Sequence, residues 1–364
     1  MSKISKKEII IIGGGPAGIS TWLHLNKIAP DLALKTVLIE KEKYPRDKLC
    51  GGAIVNIGQE VLKNLKANTD YPTVSINDTE YRYGDEVLNY KEKNFLKITN
   101  RYDFDYSLAK TAMERGLNIK QNEEFSSCFK KNNDIIVRTS RGNYKTKILI
   151  GADGANSRIR NNMKNVKKPR LAPAIEVFSP VKNEIDIEFA TNKATIDFSP
   201  LEEGLQGYIW HFPCKINNQP FMNHGICDIH MNPNKKRADT KKIFKQELKK
   251  RKIDCKPTDW KGHPVPWYDS YTKLSEENII LVGDAAGIEP LIGGGIHLSL
   301  LYGDAAANTI LNAYNTNDYS FENYEDKIKS HFVGKYIKKF TYVANEIYNN
   351  DLNALDGIRK ILPK

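Results

Sequence analysis

Apolar β-branched residues open the chain's first patterned segment, Glu-Ile-Ile-Ile-Ile at 8–12. The run does not alternate, so it reads as a strand buried on both faces. A glycine-rich turn follows, and 16–28 reads as a helix. Lys-Thr-Val-Leu-Ile-Glu at 35–40 reads as the second strand of a β-α-β unit. The segment 41–52 reads as a loop, and 57–66 and 104–115 as helices. Residues 71–100 alternate polar and apolar like a hairpin, and 117–150 holds several strand-like runs. Alternation, aromatic residues and proline over 172–230 predict an antiparallel sheet. A basic surface helix is expected at 236–252. An apolar strand at 278–284 and a helix over 296–311 then return the chain to its first unit.

The expected fold is α/β: a Rossmann-like dinucleotide-binding domain with an inserted antiparallel-sheet substrate domain. The first domain is assigned 1–70, 100–165 and 275–318, and the second 71–99 and 166–274. A C-terminal helical segment takes 319–364.

Two glycine-rich strand-to-helix turns stand at opposite ends of this plan. The first is Gly13-x-Gly15-Pro16-Ala17-Gly18. Gly13 serves the tight turn, Gly15 lets a pyrophosphate approach the backbone, and Gly18 lets helix pack on strand. The helix N-terminus offers free N–H groups and partial positive charge. Glu40 ends the second strand, about twenty residues on, where a carboxylate can accept from ribose hydroxyls. The second turn begins at Gly283-Asp284 after an apolar strand, continues through Pro290, and reaches Gly293-Gly294-Gly295-Ile296 before a helix. Two such turns predict one long cofactor held at both ends, FAD rather than NAD. Asp284 is expected at the ribityl chain and Pro290 in the turn over the ring. The Gly293–Ile296 N–H groups are expected at the ring edge that gathers charge on reduction.

Composition narrows the setting. The mean hydropathy of −0.52, with no apolar stretch approaching the ~18 residues of a bilayer span, fits a soluble protein. The N-terminus shows no signal-peptide pattern. Five scattered cysteines and no CxxC pair argue against a disulfide framework and a zinc site, so no metal is expected. A cytoplasmic protein is the expectation. The net charge of +11 is spread along the chain rather than striped, which argues against a nucleic-acid partner. It is compatible with an anionic membrane, a phosphorylated substrate, or a compositional habit.

Between the two turns lies Gly151-Ala152-Asp153-Gly154-Ala155-Asn156-Ser157-Arg158. GxGxxG, then Asp-Gly with Ser-x-x-Arg, then Gly-Asp resembles flavoproteins of the para-hydroxybenzoate hydroxylase type over about 8–310. Two stretches resemble the geranylgeranyl reductase branch of that superfamily. One is Pro45-Arg46-Asp47-Lys48-Leu49-Cys50-Gly51-Gly52, similar to a Cys-Gly-Gly loop beside the flavin. The other is Tyr208-x-Trp210-x-Phe212-Pro213, similar to a motif lining a prenyl-chain cavity, with Asn223-His224-Gly225 after it. Arg101-x-x-Phe104-Asp105 is also similar, and its arginine is implied on the flavin side. Cys214 before Lys215 departs from the pattern, and the tail after 310 is short.

The resemblance implies an FAD-dependent oxidoreductase that saturates C=C bonds of an isoprenoid lipid, with electrons from NAD(P)H or a ferredoxin. It adds Lys41, Arg46, Cys50, Gly51, Arg101 and Asp153 to the cofactor set, and Tyr208, Trp210, Phe212 and Pro213 to the substrate set. Cys50 is implied as the proton donor, with a small buried side chain as its alternative. A monooxygenase or halogenase shares the fold. Halogenases read Trp-x-Trp-x-Ile-Pro where this chain has Tyr208 and Phe212. A non-catalytic FAD- and lipid-binding protein is the third reading.

His297 follows the second turn and is expected either near the flavin or as a satisfied polar residue on a helix face. His211 is expected to face away from Tyr208 and Trp210. On one helical wheel over 327–340, Ile328, Phe332, Val333, Tyr336, Ile337 and Phe340 share an arc opposite Lys327, Lys335 and Lys338. That arc predicts either packing on the protein itself or peripheral membrane association.

Overall fold

The computed structural model describes residues 4–164, 166–167, 169–182, 186–269 and 271–363. Among these, the strands form two eight-stranded sheets. The first is built on the strand Ser5–Ile12, which pairs in parallel with Thr36–Ile39 on one side and Gly142–Gly151 on the other. Ile279–Leu281 adds in parallel to Gly142–Gly151, so both glycine-rich turns leave the same end of one sheet. Ile9, Ile10 and Ile11 are fully buried, as an unalternating run requires. The helices Pro16–Ile28 and Gly295–Thr316 follow these turns and pack on each other. Gly303 makes that contact: a Cβ there would lie 2.3 Å from the Ser20 hydroxyl. Ser20 instead donates across to the Leu300 carbonyl at 2.8 Å.

The second sheet runs, in order, Lys261–Trp267, Arg170–Pro180, Gln219–Asp228, Gly207–Ile216, Lys193–Asp197, Thr73–Tyr83, Glu86–Thr99 and Ala53–Val55. It is not wholly antiparallel, because Lys193–Asp197 pairs in parallel with Thr73–Tyr83. Alternation shows the buried face of a strand but not the direction of its partner, so sequence reasoning missed this.

Strand geometry divides Gly207–Ile216 between two layers. Tyr208, Trp210 and Phe212 face one core, whereas Ile209 packs with Ile226, Ile243 and Phe244 beneath the helix Thr240–Lys250. His211 is buried on that far side against His224 and Glu247, away from Tyr208 and Trp210.

The segment 327–340 is not one helix. Tyr324–Ser330 ends at His331, whose backbone is extended (ψ 160°) and whose side chain caps the helix Phe332–Asn349. The break resets the wheel. Ile328, Val333, Ile337 and Phe340 are buried, while Phe332 is 48% exposed. The helix Ala354–Ile361 packs against Phe332–Asn349.

Candidate functional site

One cavity of about 870 Å3 runs from the first glycine turn to the aromatic face of the second sheet. This volume lies near the top of the ~300–1,000 Å3 range of ligand sites.

At its first end the backbone is built for close approach. Gly13 has φ +104°, and a Cβ there would lie 2.3 Å from the Ala152 carbonyl oxygen. Gly15 differs. A Cβ on it would meet only Arg46 Nη2, at 3.9 Å, so Gly15 opens onto the cavity. The Glu40 carboxylate accepts from Gly14 N–H at 2.7 Å and Glu42 N–H at 3.0 Å, and Arg46 Nη2 lies 3.6 Å away. Tyr44 donates to the Gly14 carbonyl. Glu40 therefore shapes the glycine turn as well as facing the cavity beside Pro16, Ala17 and Lys41.

Two arginines share one buried carboxylate beside this turn. Arg101 binds Asp105 through Nε at 2.6 Å and Nη2 at 2.8 Å, and Arg46 adds a bond at 3.0 Å. Both arginines line the cavity, and their planar guanidinium groups suit a phosphate.

Asp153 accepts from Ser157 Oγ at 2.5 Å and Ile159 N–H at 3.1 Å, so its carboxylate caps its own short helix while lining the cavity. Burial pushes its pKa up. Arg160, the last residue of Ser-x-x-Arg, donates to the Ala155 carbonyl at 2.6 Å and the Ala285 carbonyl at 2.9 Å. It thereby ties the Asp-Gly turn to the Gly-Asp turn.

At the second turn, Asp284, Gly293, Gly294, Gly295 and Ile296 line the cavity. Some of this turn's N–H groups have internal partners. Glu289, fully buried, accepts from the N–H groups of Leu291 (2.6 Å), Ile292 (3.1 Å) and Gly294 (2.6 Å). Gly295 N–H is taken by the Gly293 carbonyl at 2.7 Å. Burial pushes the pKa of the Glu289 carboxyl up. His297 also departs from a satisfied polar residue. It is 1% exposed, neither ring nitrogen has a partner, and its ring packs edge-on against Tyr336 at 5.2 Å. Burial lowers its pKa to about 3.

Four predicted residues do not line the cavity. A Cβ on Gly18 would meet the Gly13 carbonyl at 2.1 Å, and one on Gly283 would meet the Ala17 Cβ at 2.5 Å, so both serve packing. Pro290 is buried outside the cavity wall. Pro213 falls on the opposite face of its strand from Phe212, as a period of two requires.

The aromatic end is continuous. Ring centroids lie 6.0 Å apart for Tyr208 and Trp210 and 6.4 Å for Trp210 and Phe212. Tyr336 stacks on Phe340 at 4.1 Å, both from the helix Phe332–Asn349. Between the two ends stands the Cys50-Gly51-Gly52 loop, and a Cβ on Gly51 would lie 3.2 Å from the Phe212 ring. Cys50 lines the cavity. Lys48 meets His263 there, and burial lowers their pKa values to about 8 and about 4.

Sequence reasoning missed Glu176, Glu289, Lys48 and His263 as cavity or loop groups. Glu176 carried one signal, a lone carboxylate inside the apolar run Ala-Ile-Glu-Val-Phe. Among the described residues, no cluster of three or more His, Cys, Asp or Glu could hold a metal ion.

The fold and the cleft define an FAD-dependent oxidoreductase of the para-hydroxybenzoate hydroxylase type. The chain belongs to the FAD binding domain family, whose description matches residues 6–307. Over 97% of its length it is 26% identical to digeranylgeranylglycerophospholipid reductase 3 of Methanosphaera stadtmanae, covering 90% of that protein. The digeranylgeranylglycerophospholipid reductase of Methanocaldococcus jannaschii is also 26% identical, with 96% and 89% covered. Among solved structures, a geranylgeranyl bacteriochlorophyll reductase-like protein of Thermoplasma acidophilum superposes with TM-score 0.75 at 19% identity, covering 99% of this chain and 96% of that one. The flavin-dependent halogenase CmlS gives 0.71 at 16% identity, with 100% and 68% covered. The two structural likenesses establish the fold.

FAD fits the residues present. The open Cα face of Gly15 and the Arg46–Arg101 wall suit its pyrophosphate, and Asp284 at the second turn suits its ribityl hydroxyls.

Proposed function

We propose that this protein reduces carbon–carbon double bonds of a prenyl lipid. The observation that carries this reading is the continuity of one cavity from the glycine turns to the apolar wall of Tyr208, Trp210, Phe212, Tyr336 and Phe340. Full-length relatives named digeranylgeranylglycerophospholipid reductase support it. Bound and reduced FAD would supply the hydride and both electrons. Gly15, Arg46, Arg101 and Asp284 would hold it, and the aromatic wall would orient the chain and exclude water. An unactivated alkene is a poor hydride acceptor, so placing a proton at the other carbon is the protein's main task. Cys50, at the junction of the two ends, is one candidate for that proton. The electron donor in this reading is NAD(P)H or a ferredoxin.

The test is anaerobic single turnover of dithionite-reduced protein with geranylgeranyl lipids, read by flavin reoxidation and product mass. Absence of reoxidation with every prenyl substrate would sink the reading. The halogenase among the structural neighbours supports the alternative of an oxygen-using enzyme. Product formation that depends on O2 would favour that alternative.

The lipid reading extends to a peripheral membrane contact. Phe332 lines the cavity and is 48% exposed, so it stands at a mouth, on a helix that also carries exposed Lys335, Lys338 and Lys339. Among the described residues no helix is long and apolar enough to cross a membrane. Co-sedimentation with anionic vesicles should fall for Phe332→Ser. Negligible binding by the wild type removes the membrane contact.

A further inference from the structure

Glu176 sits on the strand Arg170–Pro180, lines the cavity and is 4% exposed. Its Oε1 accepts from Cys50 N–H at 3.2 Å, and its Oε2 from Asn223 Nδ2 at 3.3 Å. Asn223 Nδ2 also donates to the Cys50 carbonyl at 3.2 Å, and Asn223 Oδ1 accepts from Trp210 Nε1 at 2.9 Å. Both peptide groups of Cys50 are thus held by two buried side chains of the second sheet. Gly225 lies directly across the ladder from Glu176, and Trp210 covers it: a Cβ on Gly225 would fall 2.0 Å from the ring. The carboxyl group therefore stands at the meeting point of the Cys-Gly-Gly loop and the aromatic wall.

We propose that Glu176 is the acid that delivers the proton to the substrate in this cavity. The inference rests on the prenyl-reductase reading. In that reaction C=C gains two hydrogens. One arrives as hydride, with both electrons, from reduced flavin. The other is a proton: the Glu176 O–H bond breaks, a C–H bond forms at the second alkene carbon, and a carboxylate remains. Solvent returns the proton from the side of Lys261, the exposed cross-strand partner of Glu176.

Three features make the carboxyl a better donor than the neighbouring thiol. A carboxylic acid is intrinsically the stronger acid, with an ordinary pKa of about 4.3 against about 8.5 for cysteine. Burial pushes Glu176 upward from that value, which favours its protonated form. Its strand and hydrogen bonds hold it in place. The groups around it come from every packed element: Lys48 and Cys50 from the loop, Lys261 and His263 from the edge strand, and Asn223 and Cys214 from the neighbouring strands. The hydrogen bonds from Asn223 and Cys50 and the charges of Lys261 and Lys48 all oppose the burial effect, and burial is the larger influence.

Two measurements on the FAD-loaded protein test this. The first is the infrared carboxylic C=O band of Glu176, taken as the difference between wild type and Glu176→Gln. The band should be present at pH 6, where exposed glutamates with a pKa of about 4.3 are ionised. The second is the anaerobic single-turnover rate against pH. It should fall together with the band as pH rises, because the protonated form is the active one. In Glu176→Gln the rate should drop about a hundredfold or more, with flavin absorbance retained. No Glu176 band at pH 6 overturns the proposal, as does a Glu176→Gln protein with the wild-type rate and pH profile. If Glu176→Gln does not hold FAD, a wild-type carboxylic band and rate that titrate at different pH values overturn it. If the wild type never turns over, the prenyl reading itself has failed, and the band alone decides whether Glu176 holds a proton.

Discussion

The Tyr208 hydroxyl donates to the Ile292 carbonyl at 2.6 Å, joining the aromatic strand of the second sheet to the glycine-rich turn of the first. Tyr208 is 7% exposed, and burial keeps its hydroxyl protonated as a donor. The bond fixes the turn that Glu289 holds from inside. Tyr208→Phe should therefore cost about 1–2 kcal/mol of stability and weaken FAD binding, although residue 208 belongs to the substrate wall. Thermal melts and FAD fluorescence titration check this. An unchanged FAD affinity would show that the turn is held by Glu289 alone.

Gly13 and Gly15 should respond in opposite ways to an added methyl group. Gly13→Ala places a Cβ 2.3 Å from the Ala152 carbonyl oxygen at φ +104°, so the apoprotein itself should lose several kcal/mol (roughly 1–3 for the steric clash alone). Gly15→Ala meets nothing closer than 3.9 Å, so the apoprotein should melt as the wild type does while FAD affinity falls. Apoprotein melts with FAD titrations separate the two. An apo-stable Gly15→Ala protein that binds FAD normally would move the pyrophosphate elsewhere.

Gly225→Ala tests the aromatic wall. The new methyl group would fall within 2.0–2.4 Å of Trp210 ring atoms, so the indole must move and release Asn223. Overpacking of this kind costs about 1–3 kcal/mol. Tryptophan fluorescence and a melt report it, and wild-type values for both would refute the packing.

Stability should decline in mild acid through buried neutral histidines. Burial lowers His24 to about 4, outweighing the nearby Asp304, and His297 to about 3, while His211 and His224 go well below the ordinary value. Between pH 6.5 and about 4 the unfolded chain binds more protons at these sites, so stability is fullest above pH 6.5 and falls with pH. At pH 5 His24 and His297 each cost roughly 2 kcal/mol. Calorimetry at pH 7 and pH 5 should show a smaller drop for His297→Gln than for the wild type. Equal drops would exclude His297 as a contributor.

Much of the first sheet was legible because its signals are local. An unalternating isoleucine run, a glycine turn and a helix lie within about two dozen residues, and each obeys a short-range rule. The pairing of Lys193–Asp197 with Thr73–Tyr83 was not legible, because the partner lies more than a hundred residues away and alternation has no direction. The wheel over 327–340 failed at His331, where a polar side chain caps a new helix. Ser-x-x-Arg was legible as a motif, but the bond from Arg160 to Ala285 was not.

By itself the sequence determined the two glycine-rich turns, the placement of Tyr208, Trp210 and Phe212 on one face, and the family. These depend on the φ freedom of glycine and the two-residue period of a strand, which neighbouring residues carry between them. Only the tertiary structure decided that Glu289 occupies the N–H groups of the second turn, that His297 has no partner, and that Glu176 and Asn223 hold Cys50. The reason is physical. A buried polar group must find its partner wherever packing brings one, and in this chain the partner of Cys50 comes from a strand 126 residues away.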